Sequence, residues 1–165
     1  MFRLPALTDL RRFDADVSGK ALGNLPEWDL TDLYPSPEAP ELDRDFDWLD
    51  AACASFAANY EGKLDTLDAA AMLTCIQDYE AIDITAGRLM SYAGLRYYQM
   101  TTDSERAKFM ADAQDRVTVA TTPLVFFSLE MNRIEDARME ALLNANADLA
   151  RYRPVIERMR AMRPH

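Results

Sequence analysis

The feature that most constrains this chain is a spacing. From Met110 onward, Ala113, Val117, Ala120, Leu124, Phe127, Met131 and Ile134 follow at steps of 3, 4, 3, 4, 3, 4 and 3. An α-helix turns once in about 3.6 residues, so this set forms one apolar stripe, whereas a strand would scatter it over both faces. Such a stripe needs other helices to bury it. Asp103 can cap the helix ahead of it. Arg106, at the position where a capping box takes Glu or Gln, leaves that box unmet. Pro123 lies inside the stripe and predicts a kink or split near residues 119–122, because proline lacks the N–H and its ring meets the preceding turn. The mixed side-chain sizes and this proline favour a helix bundle over a coiled coil.

Two further helices read the same way. Leu42, Phe46, Leu49, Cys53, Phe56 and Tyr60 step by 4, 3, 4, 3 and 4, which predicts a helix from about Pro40 to Tyr60. Glu41, Asp43, Asp45 and Asp47 crowd its start, where negative charge suits the free N–H groups, and Gly62 is placed to stop it. A second helix should start near Thr66 to Asp68 and reach Gln99. Its face runs through Met72, Ile76, Tyr79, Asp83, Ala86, Met90, Ala93 and Tyr97. In this register Asp83 points inward, with Ile82 beside it able to turn in. Gly87 and Gly94 each cost about 1 kcal/mol against alanine. A close helix crossing explains both, and plain looseness is the other reading. Shorter helices follow, one from Asp136 to Leu142 or Leu143 and one opened by Pro154 before Val155, Ile156 and Met159. Asn144 to Asp148 reads as the turn between them. There is no hairpin signal and no internal repeat.

The expected fold is therefore all-α: an antiparallel bundle of long helices over residues 41–165, with an extended N-terminal arm over 1–40. Pro5, Gly19, Gly23, Pro26, Pro35, Pro37 and Pro40 punctuate the arm, and Thr8 to Phe13 suggests a short helical turn. Trp28, Leu30, Leu33 and Tyr34 are too apolar for a free loop, so the arm should pack along the helices.

Composition removes several functions. With 18 basic and 28 acidic residues the net charge is −10, unlike a generic nucleic-acid or polybasic membrane binder. The single histidine, His165, is the last residue. A His-His-Glu zinc site within this chain is thereby excluded, and most histidine-dependent acid–base catalysis is disfavoured. Cys53 and Cys75 fall in helical patterns and read as buried thiols of a reducing, cytoplasmic protein. No apolar run approaches the roughly 18 residues of a membrane span.

Polar constellations are few. Glu80 with Asp83, and Asp112 with Asp115, stand one helical turn apart. A carboxylate-bridged metal site would also need Glu-x-x-His pairs, so these read as solvated faces, with Asp83 the exception. Arg88, Tyr92, Arg96, Tyr97 and Tyr98 make the densest polar-aromatic patch. It suits either a groove for a peptide or acidic ligand, or a row of interhelical tyrosines. Arg151, Arg153, Arg158, Arg160 and Arg163 form a basic tail, read as a helix C-terminal bias or a face for an acidic partner segment rather than an anion site. There is no phosphate loop, Cys-x-x-Cys, His-Glu-x-x-His or Gly-x-Ser-x-Gly.

Three stretches in order carry a resemblance. The first is Trp28-Asp29-Leu30-Thr31-Asp32-Leu33-Tyr34-Pro35, followed by Phe56 to Tyr60 and Glu61-Gly62-Lys63-Leu64. The second is Gly87-Arg88-Leu89-Met90-Ser91-Tyr92-Ala93-Gly94-Leu95-Arg96-Tyr97 with Thr101-Thr102-Asp103. The third is Phe126 to Ile134, then Leu149 to Arg153 and Arg163-Pro164-His165. Together they resemble the N-terminal region of oligoendopeptidase F, of the thimet-like M3 zinc metallopeptidases, from about residue 25 to the end.

The resemblance implies a mostly helical protein whose N-terminal region and catalytic domain enclose a channel for short peptides. It implies zinc in the full-length enzyme, held by a His-Glu-x-x-His helix and a downstream Glu. None of those ligands has a counterpart here, so no catalytic or metal residue and no cofactor is assigned to this chain. Carried-over positions are structural or wall candidates: Arg88, Tyr92, Arg96 and Tyr97 for the channel or interdomain wall, and Trp28, Leu33 and Tyr34 for arm packing. The implied partners are the chain's own C-terminal catalytic domain and, for the whole enzyme, short peptides. An apolar face left exposed would permit a homodimer. A free-standing helical interaction module is the alternative, and a carboxylate-bridged metalloprotein a third.

Overall fold

A computed structural model describes residues 27–161. The expected turn over Thr8 to Phe13, the arm before residue 27 and Arg163 to His165 lie outside these residues. The described chain is all-helical: α1 (Pro40–Tyr60), a 3-10 turn (Leu64–Thr66), α2 (Ala69–Gln99), α3 (Ser104–Thr121), a second 3-10 turn (Thr122–Leu124), α4 (Val125–Arg133), α5 (Asp136–Ala145), α6 (Ala147–Ala150) and α7 (Arg153–Ala161).

Each boundary has a local cause. Pro40 opens α1, with Glu41 and Asp43 in its first turn. The helix ends where Gly62 takes φ +75°, a backbone conformation costly for any residue with a Cβ. Lys63 Nζ then donates to the free carbonyls of Ala58 (3.0 Å) and Asn59 (2.9 Å). Asp68 caps α2 by accepting from Ala71 N at 2.8 Å. Asp103 caps α3 by accepting from Glu105 N (2.9 Å) and Arg106 N (3.2 Å). Pro123 splits the long stripe: α3 stops at Thr121, and the hydroxyls of Thr121 and Thr122 donate back to Val117 O (2.8 Å) and Thr118 O (2.7 Å).

Helix α2 packs on both α1 and α3, which also touch each other, and it carries α5 and α6 as well. Helix α4 rests on the Leu64–Thr66 turn and on α7. The core centres on an aromatic group. Phe56 lies 5.7 Å from Tyr79 and from Phe127, and Tyr79 stacks on Phe127 at 4.2 Å with 20° between planes. Both cysteines are buried and free.

Within the helices and their connections the structure corrects the sequence reading in three places. The buried line of α2 runs through Cys75, Ile76, Ile82, Leu89, Tyr92 and Ala93, while Asp83 is exposed. A helix flanked on two sides buries a wide band, so Ile82 takes the inward place and the carboxylate keeps its water. No close crossing accounts for the glycines. Gly87 is exposed with nothing within 4 Å of a Cβ built on it, and such an atom on Gly94 would meet only Tyr98 of the same helix, at 3.8 Å. Asn144 to Asp148 is not a five-residue turn: Asn146 alone separates α5 from α6, capping the latter through Asp148 N (3.0 Å) and Leu149 N (3.1 Å).

Candidate functional site

The residues singled out in α2 do not converge on one opening. Positions 88, 92 and 96 lie one turn apart on a single face, and each is engaged with a neighbouring element. Arg88 donates through Nη2 to Leu33 O (2.7 Å), approaches Asp45 at 3.5 Å and lies 4.6 Å over the Tyr34 ring. Tyr92 is buried, edge-on to Tyr34 (5.3 Å) and to Phe109 (6.0 Å). Arg96 lies 5.6 Å over Phe109, and its carbonyl accepts from Arg106 Nη1 at 3.1 Å. Tyr97 is half-buried, 5.4 Å from the exposed Tyr98. This face is a seam that joins α2 to the segment before α1 and to α3.

In that segment Tyr34 is buried and donates to Asp45 Oδ2 at 2.5 Å, while Leu33 is half-buried against the core. Burial first, then the Asp45 carboxylate, raises the Tyr34 hydroxyl well above the ordinary tyrosine range. Trp28 departs from the expectation of arm packing. The residue is 58% exposed, and its carbonyl accepts from Gln99 Nε2 at 2.7 Å. An Asx turn, with Thr31 N and Oγ1 donating to Asp29 Oδ1 at 3.0 and 2.7 Å, directs the chain inward only from Leu30.

Concave surface lies along the other side of α2. A groove of about 390 Å³ opens between α2 and the Pro123 break, with Tyr79, Asp83 and Val125 in its walls. Adjoining it, a more apolar cavity of about 200 Å³ sits between α2, α4 and α7, lined by Tyr79, Phe127, Met131 and Tyr152, with Glu80 and Asp83. Tyr152 donates from its hydroxyl to Glu80 Oε2 at 2.7 Å. Burial raises the Tyr79 hydroxyl, with Asp83 adding to the effect, so it stays protonated at neutral pH. The sequence places Tyr79 and Phe127 in apolar stripes and reads Glu80 as part of a solvated face, with Asp83 the exception. The signal was the carboxylate four residues after Tyr79, inside an apolar run.

The remaining acidic pair, Asp112 and Asp115, is exposed. Among the described residues no group of three or more His, Cys, Asp or Glu is placed to hold a metal ion. Two arginines of the tail, Arg153 and Arg160, serve as ties. Arg153 pairs with Glu140 at 2.5 and 3.0 Å, and Arg160 donates to Met131 O and Ile134 O, each at 2.6 Å. No described helix is long and apolar enough to cross a membrane.

Residues 130–165 match the N-terminal family model of the M3 peptidases, described as Oligopeptidase F. The matched stretch begins within α4, takes in α5, α6 and α7, and falls on the third of the three stretches that carry the resemblance. The chain has no significant match among curated proteins and none among solved structures.

Proposed function

We propose that this chain is the N-terminal, channel-forming region of a zinc-dependent oligoendopeptidase that hydrolyses short peptides in the cytoplasm. The match of residues 130–165 carries the reading, and the ordered resemblance from Trp28 onward supports it. In this reading the long helices run antiparallel, with residues 1–40 as an arm along them. The hydrolytic step belongs to a catalytic domain beyond this chain, where zinc would activate a water molecule. This chain supplies wall and support: Arg88 and Tyr92 hold the segment before α1 against α2, and Arg96 and Tyr97 continue that face toward the catalytic partner. Exposed apolar side chains such as Val125 (60%), Leu129 (52%) and Val155 (60%) are candidates for that contact or, without it, for a second copy of the chain.

The genomic sequence after codon 165 is the direct test. An open frame leading to His-Glu-x-x-His supports the reading, and an immediate stop with no such motif downstream overturns it. The purified 165-residue chain should bind no stoichiometric zinc and leave a quenched oligopeptide intact. Stoichiometric zinc with turnover would sink the assignment of catalysis elsewhere. A free-standing helical interaction module is the second reading, favoured by the continuous core that the described residues form from Tyr34 to Ile156.

A further inference from the structure

The cavity between α2, α4 and α7 has a chemistry that the peptidase reading does not use. Its volume, about 200 Å³, exceeds the roughly 150 Å³ of an apolar cavity known to admit benzene. Three aromatic side chains, Tyr79, Phe127 and Tyr152, contribute to the lining, and the Tyr79–Phe127 stack holds two of them in place. Glu80 and Asp83 are the charged residues of the wall, and no Lys or Arg lines it. Aromatic faces and carboxylates both attract cations, and an apolar wall rejects a small hydrated ion that has no carbon body.

The two carboxylates are not equivalent. Glu80 already accepts from Tyr152 and also borders the neighbouring groove that contains Arg151. The Asp83 carboxylate makes no hydrogen bond or ion pair among the described residues, and it borders both the cavity and the groove by the Pro123 break. A positive group entering from that groove meets Asp83 first, and its apolar body then faces Tyr79, Phe127 and Met131.

We propose that this cavity binds a small organic ammonium ion, an alkyl or aryl body of about benzene size carrying one charged nitrogen, with Asp83 as its counter-ion. Binding of this kind involves no bond making and is independent of whether the chain belongs to a peptidase.

The probe is phenethylammonium, titrated into the 165-residue chain carrying ¹³C-methyl methionine and followed at the Met131 and Met159 methyls. Phenethyl alcohol and phenylacetate serve as neutral and anionic partners of the same shape. Saturable shifts are expected for the amine in about the millimolar range, as its few atoms permit. The alcohol should bind about fivefold or more weaker, and phenylacetate weaker still. Asp83→Asn should reduce the amine to the level of the alcohol without lowering Tm, because Asp83 is exposed and supports no neighbour. Equal binding of all three probes, unchanged amine binding by Asp83→Asn, or no saturable shift up to about 20 mM amine would each overturn the proposal.

Discussion

Arg160 offers the sharpest test of how the matched stretch is held together. Its side chain is 10% exposed, and its two terminal nitrogens donate to Met131 O and Ile134 O at the C-terminal end of α4. The last carbonyls of a helix have no partner within it, so this guanidinium acts as the cap. Met131 is wholly buried, which leaves its carbonyl poor access to water. A hydrogen bond to a charged group contributes about 1.5–3 kcal/mol, and a buried acceptor left without a donor costs about 1–3 kcal/mol. These overlap, so Arg160→Ala should destabilise by roughly 2–4 kcal/mol. For a chain of this size that is a fall in Tm of roughly 5–15 °C. The Asp136 pairing is a separate and smaller contribution, because that carboxylate is 81% exposed, and Asp136→Ala should cost no more than about 1 kcal/mol. Arg158→Ala, at an exposed arginine of the same helix, should stay within about 0.5 kcal/mol. Urea unfolding followed by far-UV circular dichroism measures all three. An Arg160→Ala loss no larger than that of Asp136→Ala would refute the capping argument and reduce Arg160 to a surface ion pair.

Two glycines should respond with opposite sign in the same assay. Gly62→Ala places a Cβ at φ +75° and should cost about 1 kcal/mol, whereas Gly87→Ala, in an open helix interior, should stabilise by about 0.5–1 kcal/mol. Phe127→Ala removes a ring that is 2% exposed, stacked on Tyr79 and packed on Phe56, and should cost about 3–5 kcal/mol; a loss under about 1 kcal/mol would deny that the aromatic group is the core. Burial, then the nearby Asp78 and Glu130 charges, pushes the Cys75 thiol up to about 12, and Cys53 is raised by burial with Asp50 adding. Both thiols should stay silent to a disulfide reagent at pH 8 until denaturant is added. The same groups fix an alkaline trend. A folded-state pKa above the unfolded value means that the native chain holds protons which the unfolded chain has released. The stabilisation from Cys75 and from Tyr34, Tyr60 and Tyr79 is complete below the unfolded values of 9.0 and 10.0 and is lost as pH rises through the folded ones. The urea midpoint should therefore fall from about pH 9 upward, and a flat midpoint to pH 11 would contradict this.

The long elements were legible because local signals agreed. The 4, 3, 4, 3 spacing, Pro40 and Gly62 bound α1, Asp68 and Asp103 cap the next two helices, and Pro123 breaks the long stripe just after two threonines. What was not legible depends on where neighbours lie. The choice between Ile82 and Asp83 for the inward place rests on which flank of α2 each helix covers, and periodicity cannot rank adjacent residues. Trp28 was expected to be buried for its apolar character, but the Asx turn at Asp29 brings the chain inward only after it. The Arg160 cap and the Tyr152–Glu80 contact join residues 26 or more apart in sequence, and no short-range pattern announces them.

The two sides of α2 differ in how they are occupied. On one, Arg88 and Tyr92 are occupied by Leu33, Tyr34 and Phe109, so their substitution should appear as lost stability. On the other, Tyr79 and Asp83 border open volume against α4 and α7. The stretch that matches the peptidase family forms the far wall of that opening, with Met131 and Tyr152 in it. Helix α7, which walls the cavity, is tied down by Ile156 in the core and by the Arg153 and Arg160 contacts. Loosening those ties should alter ligand binding and stability together, whereas Asp83→Asn should alter binding alone. That difference separates a cavity that serves as a site from one that is only a packing gap.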